Sequence, residues 1–169
     1  MEKHGAGPQQ VLADSSVRPR LVTPAFLGLG FAALAYFFAD AVLIPTVPLY
    51  VSGPLAAGDL SVGLAVGAFS VSALLLRPWA GRLADRRGRV VLMIAGAAFF
   101  AVSVTGYGFT HSVPAIIVLR VLTGVGEALF FVGAVTAMSD LSPPERRGEA
   151  MSLFSLSLYV GIALGSLAR

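Results

Sequence analysis

The sequence predicts an all-α integral membrane protein with five membrane-spanning helices. Three observations lead there. Of its 169 residues, 56% are hydrophobic and only 12% charged, where a soluble domain carries about 25% charged residues; the mean hydropathy is +0.83. The apolar residues gather into runs at about 21–50, 60–80, 90–109, 114–138 and 150–168. At about 1.5 Å per residue, helices of this length cross a hydrocarbon core of roughly 30 Å. Finally, Lys and Arg occupy every second connection between these runs.

Residues 1–20 are polar and rich in Gly, Pro, Gln and Ser, the composition of a disordered cytoplasmic tail. The run that follows is longer than the roughly 7–15 residues of a signal-peptide core. Span one is uncharged from Leu21 to Ala39 and continues past Asp40 to about Ile44, where Pro45 and Pro48 bend or end it. A turn-rich link, 52–58, precedes span two, which Asp59 or Ser61 can cap. Gly81-Arg-Leu-Ala-Asp85-Arg-Arg-Gly88-Arg89 follows, a knot of cations between two apolar runs that reads as a short cytoplasmic turn. Span three begins at Val90, and 110–114 is a tight connection whose Pro114 fits the first turn of span four. Span four is interrupted by Arg120 and Glu127. Ser142-Pro143-Pro144-Glu145 has the pattern of a helix start, with Ser142 as N-cap, proline at the first helical position and Glu145 closing a capping box. Span five follows.

The cations set a topology. Lys3, Arg18 and Arg20 lie in the tail, Arg82, Arg86, Arg87 and Arg89 between spans two and three, and Arg146 and Arg147 between spans four and five. The other two connections carry none. Nine against zero predicts a cytoplasmic N-terminus in a cell membrane.

Several function classes are excluded. The net charge of +3 does not mark a nucleic-acid binder, because most of the arginines cluster beside the apolar runs. The chain has no cysteine, and His4 and His111 alone cannot hold a metal, so neither a metal nor a cofactor is expected. With no phosphate loop and no Ser/His/Asp set, an enzyme is not expected.

Charges inside an apolar core are costly and by default functional. Asp40, Arg120 and Glu127 qualify. Counted from the ends of their helices, Asp40 and Arg120 reach a similar depth in the outer third, which permits an ion pair between spans one and four. Glu127 lies seven residues beyond Arg120, two turns along the same face and near mid-membrane. Such a set suits a proton relay or a substrate counter-charge; the alternative is a fixed ion pair that orients two helices without titrating. Glu127 could instead hydrogen-bond a neighbouring helix. Arg77 lies near the cytoplasmic end of span two and is expected to snorkel to the interface in a structural role. Gly63 with Gly67, Gly124 with Gly126, and Gly161 with Gly165 are expected to let helices approach closely. Tyr36, Phe37 and Phe38 can line a cavity, although for most of them lipid-facing bulk is the expectation.

At these residues the chain resembles a known family. Gly81-x-x-x-Asp85-Arg86-x-Gly88-Arg89 looks like the signature loop of the major facilitator superfamily, and Arg120-x-x-x-Gly124-x-Gly126 resembles that family's second motif. Asp40 followed by Pro45 and Pro48 is similar to the acidic first span of its drug and sugar efflux branches, and Pro144-Glu145-Arg146-Arg147-Gly148 fits the opening of span five. The loop departs from the pattern at Val90, often basic in the family, and Ser166 stands where antiporter members often carry proline.

The resemblance implies a five-helix portion of an N-terminal six-helix bundle. It also implies secondary active transport of a small solute by alternating access, often coupled to protons, with drug or sugar efflux favoured. Asp85, with Gly81 and the loop arginines, would latch the cytoplasmic face, and Arg120 would regulate protonation of an acid such as Asp40. The expected partners are the lipid bilayer, a small-molecule substrate with protons, and either a missing C-terminal half, if the chain is a fragment, or an oligomeric partner. The competing expectation is a small, non-transporting membrane interaction protein held by glycine-mediated helix contacts.

Overall fold

A computed structural model of the chain describes residues 21–168; the tail 1–20, with its expected disorder, and Arg169 lie outside the described residues. Five long helices make up the fold: α1 (Pro24–Ser52), α2 (Asp59–Arg87), α3 (Arg89–Tyr107), α4 (Val113–Asp140) and α5 (Arg147–Leu167), the last preceded by a 3-10 turn at Pro144–Arg146. All five are long and apolar enough to cross a membrane.

The helix ends follow local chemistry, not always the chemistry expected. Thr23 caps α1, its hydroxyl oxygen accepting from the Phe26 amide at 3.2 Å. Neither Asp59 nor Ser61 caps α2; the N-cap is Gly58, and Asp59 lies in the first turn. The α1 helix does not stop at its prolines but runs through Pro45 and Pro48 to Ser52. In an apolar medium a helix is the cheapest way to satisfy the remaining backbone groups, and Thr46 Oγ1 adds a donor to the Val42 carbonyl in the same stretch. At the other end of the chain, the expected capping box does not form. Ser142 is buried and donates back to the Met138 carbonyl at 2.6 Å, closing α4 instead of opening α5.

The nine-residue turn is also revised. Gly81–Arg87 remains helical as the last two turns of α2, because between Gly81 and Gly88 nothing breaks a helix. The break is Gly88 alone, with φ 92°, a backbone angle that favours glycine. It is at once the C-cap of α2 and the N-cap of α3.

Packing divides the helices into two groups. The most buried helix, α4, packs extensively on both α2 and α3, while α1 packs on α5; the two groups touch one another more sparsely. Glycines set both close approaches. A Cβ on Gly126 would stand 2.8 Å from the Gly96 carbonyl oxygen, and one on Gly161 would stand 2.7 Å from that of Leu34. On Gly124 a Cβ would overlap Ser72 and the Phe69 carbonyl, and on Gly165 the Phe38 carbonyl. Gly63 and Gly67 are different: nothing lies within 4 Å of a Cβ at either, so this pair joins no helices here. The aromatic expectation is corrected too. Tyr36 and Phe37 are buried, and only Phe38 is exposed. Tyr36 stacks on Phe130 of α4 with ring centroids 3.9 Å apart and planes 5° from parallel.

Candidate functional site: charges between the helices

Span one carries Asp40 one turn beyond Tyr36, on the side of α1 that approaches α4. Asp40 is half-buried, and among the described residues no hydrogen bond or ion pair holds its carboxylate. The expected ion pair with Arg120 is therefore not made. Arg120 is buried and donates from Nη2 to the backbone carbonyl of Leu43, 3.2 Å away, in the turn just before Pro45. Its guanidinium also lies over the Phe69 ring, 5.5 Å from the centroid. Similar depth brought Asp40 and Arg120 into electrostatic range of each other but did not fix which way the arginine turns. Beside Arg120, Tyr107 and Thr123 share a hydrogen bond of 3.1 Å, which joins α3 to α4.

Glu127 sits midway along α4 with its side chain only 9% exposed. Its partner is Arg77, at 3.1 Å from Nη2 to Oε1. Arg77 does not reach away toward the helix end; it turns across to α4 and lies over the face of Phe131, 4.6 Å from the ring centroid. The same depth counting that suggested Asp40 with Arg120 would have found this pair, since Arg77 and Glu127 each lie near the middle of their helices. Among the described residues, three buried polar atoms at the seam lack a hydrogen-bond partner: Tyr36 Oη, Arg120 Nε and Glu127 Oε2. Tyr36 lies within electrostatic range of both Asp40 and Glu127, so a string of polar groups runs between α1 and α4 through an otherwise apolar bundle.

The signature-loop residues gather around the Gly88 joint. Arg89 Nε binds Asp140 Oδ2 at 2.8 Å, Nη1 donates to the Ala84 carbonyl at 3.1 Å, and Nη2 meets Asp85 at 3.3 Å. Arg89 thereby ties the end of α2 to the start of α3 and the end of α4. Asp140, which the sequence reading did not single out, completes this knot. Asp85, Arg86 and Arg87 are exposed, and Gly81 has open space where a Cβ would be. A groove of about 610 Å3 runs beside the knot between α1, α3 and α4; apart from Arg89 and Asp140, its lining is apolar. It lies away from Arg120 and Glu127 and fits a hydrocarbon surface better than a polar solute. Among the described residues, no three His, Cys, Asp or Glu side chains come together to hold a metal.

Residues 29–168 match the family model described as Major Facilitator Superfamily. The chain is 32% identical over 142 residues to the staphylopine export protein of Staphylococcus aureus, covering 84% of this chain and 35% of that protein. It is 28% identical over 141 residues to multidrug resistance protein 1 of Bacillus subtilis, covering 83% and 33% respectively. It is also 28% identical over 138 residues to the quinolone resistance protein NorA of Staphylococcus aureus, covering 81% and 35%. The chain thus spans about a third of the length of the curated relatives it matches.

Proposed function

The chain belongs to the Major Facilitator Superfamily, and from that premise we propose that it forms part of a secondary transporter that exports a small solute, driven by protons, through alternating access. The observation that carries this reading is the polar string Arg120, Asp40, Tyr36, Glu127 and Arg77, set into a membrane-length apolar bundle where each charge is costly. Export is supported by the relatives, one an export protein and two named for multidrug or quinolone resistance.

In this reading Asp40 is the proton-carrying acid, free of any direct partner. Arg120, held on the Leu43 carbonyl, sets the electrostatic potential Asp40 feels. Glu127, bound to Arg77, is a second acid of the proton relay or substrate path. Asp85, Gly81, Arg86, Gly88 and Arg89 form the cytoplasmic latch, with Arg89 fixed by Asp140. The protein performs no covalent chemistry. Its N-terminus lies in the cytoplasm of a cell membrane, in keeping with the nine cations on that side. Helices beyond this chain, from a continuation or a partner, complete the transport path.

The test is Asp40→Asn in the complete gene product, assayed in inverted vesicles loaded with a pH dye. Proton-linked export of a fluorescent quinolone should vanish while the protein still inserts. Unchanged proton-linked flux would remove Asp40 from the mechanism.

A further inference from the structure

Arg120 is a buried cation that binds no acid directly. The acid in its electrostatic range is Asp40, three residues before Leu43 on α1 and about 4.5 Å away along the helix axis. Yet the guanidinium takes the Leu43 carbonyl, although a bond to a carboxylate is the stronger kind. The hydrogen bonds beside it show what holds it there. Thr123 is fully buried, and its Oγ1 lies 2.8 Å from the Leu119 carbonyl oxygen. Tyr107 Oη lies 3.1 Å from the same Oγ1. Each hydroxyl has one hydrogen to give. If Thr123 gave its hydrogen to Tyr107, the tyrosine hydrogen would have no acceptor among the described residues. With Thr123 donating to Leu119 and Tyr107 donating to Thr123, both hydrogens are used. Tyr107 then offers only lone pairs to its other neighbours, and Arg120 is the cation within their reach. Phe69 of α2 lies against the guanidinium as well. The arginine therefore sits among three neutral groups: a carbonyl, a phenol oxygen and a ring.

We propose that Tyr107 is a positioning residue that seats Arg120 on neutral acceptors and so keeps Asp40 free to hold a proton. Arg120 has two seats. In the one described here it rests between the Leu43 carbonyl, Tyr107 and Phe69, and Asp40 is unpaired. In the other it moves about one turn along α1 onto Asp40, and the proton held there leaves to water, because the ion pair requires the carboxylate. Tyr107 weights the first seat. The groups facing Asp40 are Tyr36 of its own helix, Arg120 and Glu127 of α4, and Tyr107 of α3. Among the described residues, no charged side chain of α2 or α5 is an electrostatic partner of Asp40. Glu127 is bound to Arg77, which leaves Arg120 as the cation able to change the state of Asp40. This inference rests on the transport reading and names the residue that regulates its proton-carrying acid.

The experiment uses the complete gene product in lipid nanodiscs and dicyclohexylcarbodiimide, an apolar reagent that modifies protonated carboxyl groups, with the modified residue read by mass spectrometry. Asp40 should be modified in the wild type. Tyr107→Phe leaves Thr123 bonded to the Leu119 carbonyl but frees Arg120 to pair with Asp40. The rate of Asp40 modification should then fall about tenfold or more, the size of effect that an adjacent arginine has on a carboxyl group. Tyr107→Phe/Arg120→Gln should restore the wild-type rate or exceed it, which a structural defect alone would not allow. Tyr50→Phe removes a different tyrosine hydroxyl bond at the same end of the bundle and should leave the rate unchanged.

An Asp40 that resists the reagent in the wild type, an unchanged rate in Tyr107→Phe, an equal fall in Tyr50→Phe, or a fall that survives Arg120→Gln would each overturn the role of Tyr107. Any of these beside intact, Asp40-dependent export refutes this inference alone. The expected pattern beside Asp40-independent export leaves Tyr107 standing as the seat of Arg120 and refutes the role given to Asp40.

Discussion

Gly96→Ala tests the packing of α3 on α4 with one methyl group. A Cβ at this position would stand 2.6 Å from both the Gly126 carbonyl oxygen and the Phe130 amide nitrogen, and 2.9 Å from the Phe130 Cβ. Two of these neighbours are backbone atoms of a helix packed on both sides, so no side chain can swing clear. Reaching ordinary contact at 3.4 Å means moving α3 outward by about 0.8 Å, an overpacking strain of the kind that costs about 1–3 kcal/mol. It also disturbs Phe130, which carries the Tyr36 ring.

Gly63→Ala is the matched control. It makes the same gain in helix propensity, about 0.5–1 kcal/mol, and meets nothing within 4 Å. The difference between the two variants therefore isolates the clash. Unfolding in mixed detergent micelles, followed by far-UV circular dichroism, should place Gly96→Ala below Gly63→Ala by about 1–3 kcal/mol. Equal stabilities would show that α3 and α4 do not meet at Gly96, and the assignment of Gly63 as unpacked would fall with it.

Three further outcomes are expected. Arg77→Gln alone should destabilise the fold more than Arg77→Gln/Glu127→Gln, with a coupling of about 1–3 kcal/mol in a double-mutant cycle on the same unfolding assay; additive effects would refute the pair. Tyr50→Phe removes the bond from the Tyr50 hydroxyl to the Thr110 carbonyl, 2.8 Å, and should cost about 1 kcal/mol by the same measure. Asp140→Asn weakens the hold on Arg89 and should speed trypsin cleavage after Arg86 or Arg87 in limited proteolysis; an unchanged cleavage rate would mean that Arg89 does not restrain the joint.

Much of the scaffold was legible because the membrane imposes simple rules. Long uncharged runs become helices, and Gly124, Gly126, Gly161 and Gly165 sit where backbones meet. What escaped was rotation about each helix axis. Depth counting brought Asp40 and Arg120 to one level, but Arg120 points to the Leu43 carbonyl. Arg77 was read from its distance to a helix end, whereas its partner depends on how α2 is turned against α4. The signature stretch looked like a loop because it is charged; charge alone does not break a helix, and only Gly88 does. Tyr36 and Phe37 looked suited to lipid because composition cannot say which side of α1 meets α4. Gly63 and Gly67 have the right spacing, but spacing alone does not supply a partner surface.

The division of the bundle into α2–α3–α4 and α1–α5 has a mechanical consequence. Inside each group, glycine contacts put backbone directly on backbone, so a sliding displacement meets hard repulsion at once. Between the groups the contacts are made by side chains: the flat stack of Tyr36 on Phe130, the edge-on approaches of Phe37 to Phe130 and Phe131 and of Phe131 to Phe154, and the hydrogen bonds of Arg120 to the Leu43 carbonyl and of Tyr50 to the Thr110 carbonyl. Side chains can turn where packed backbones cannot. The seam that holds Asp40 and Arg120 is therefore the place where the bundle yields first. A small twist of one group against the other would change the distances among those charges before it disturbed anything else.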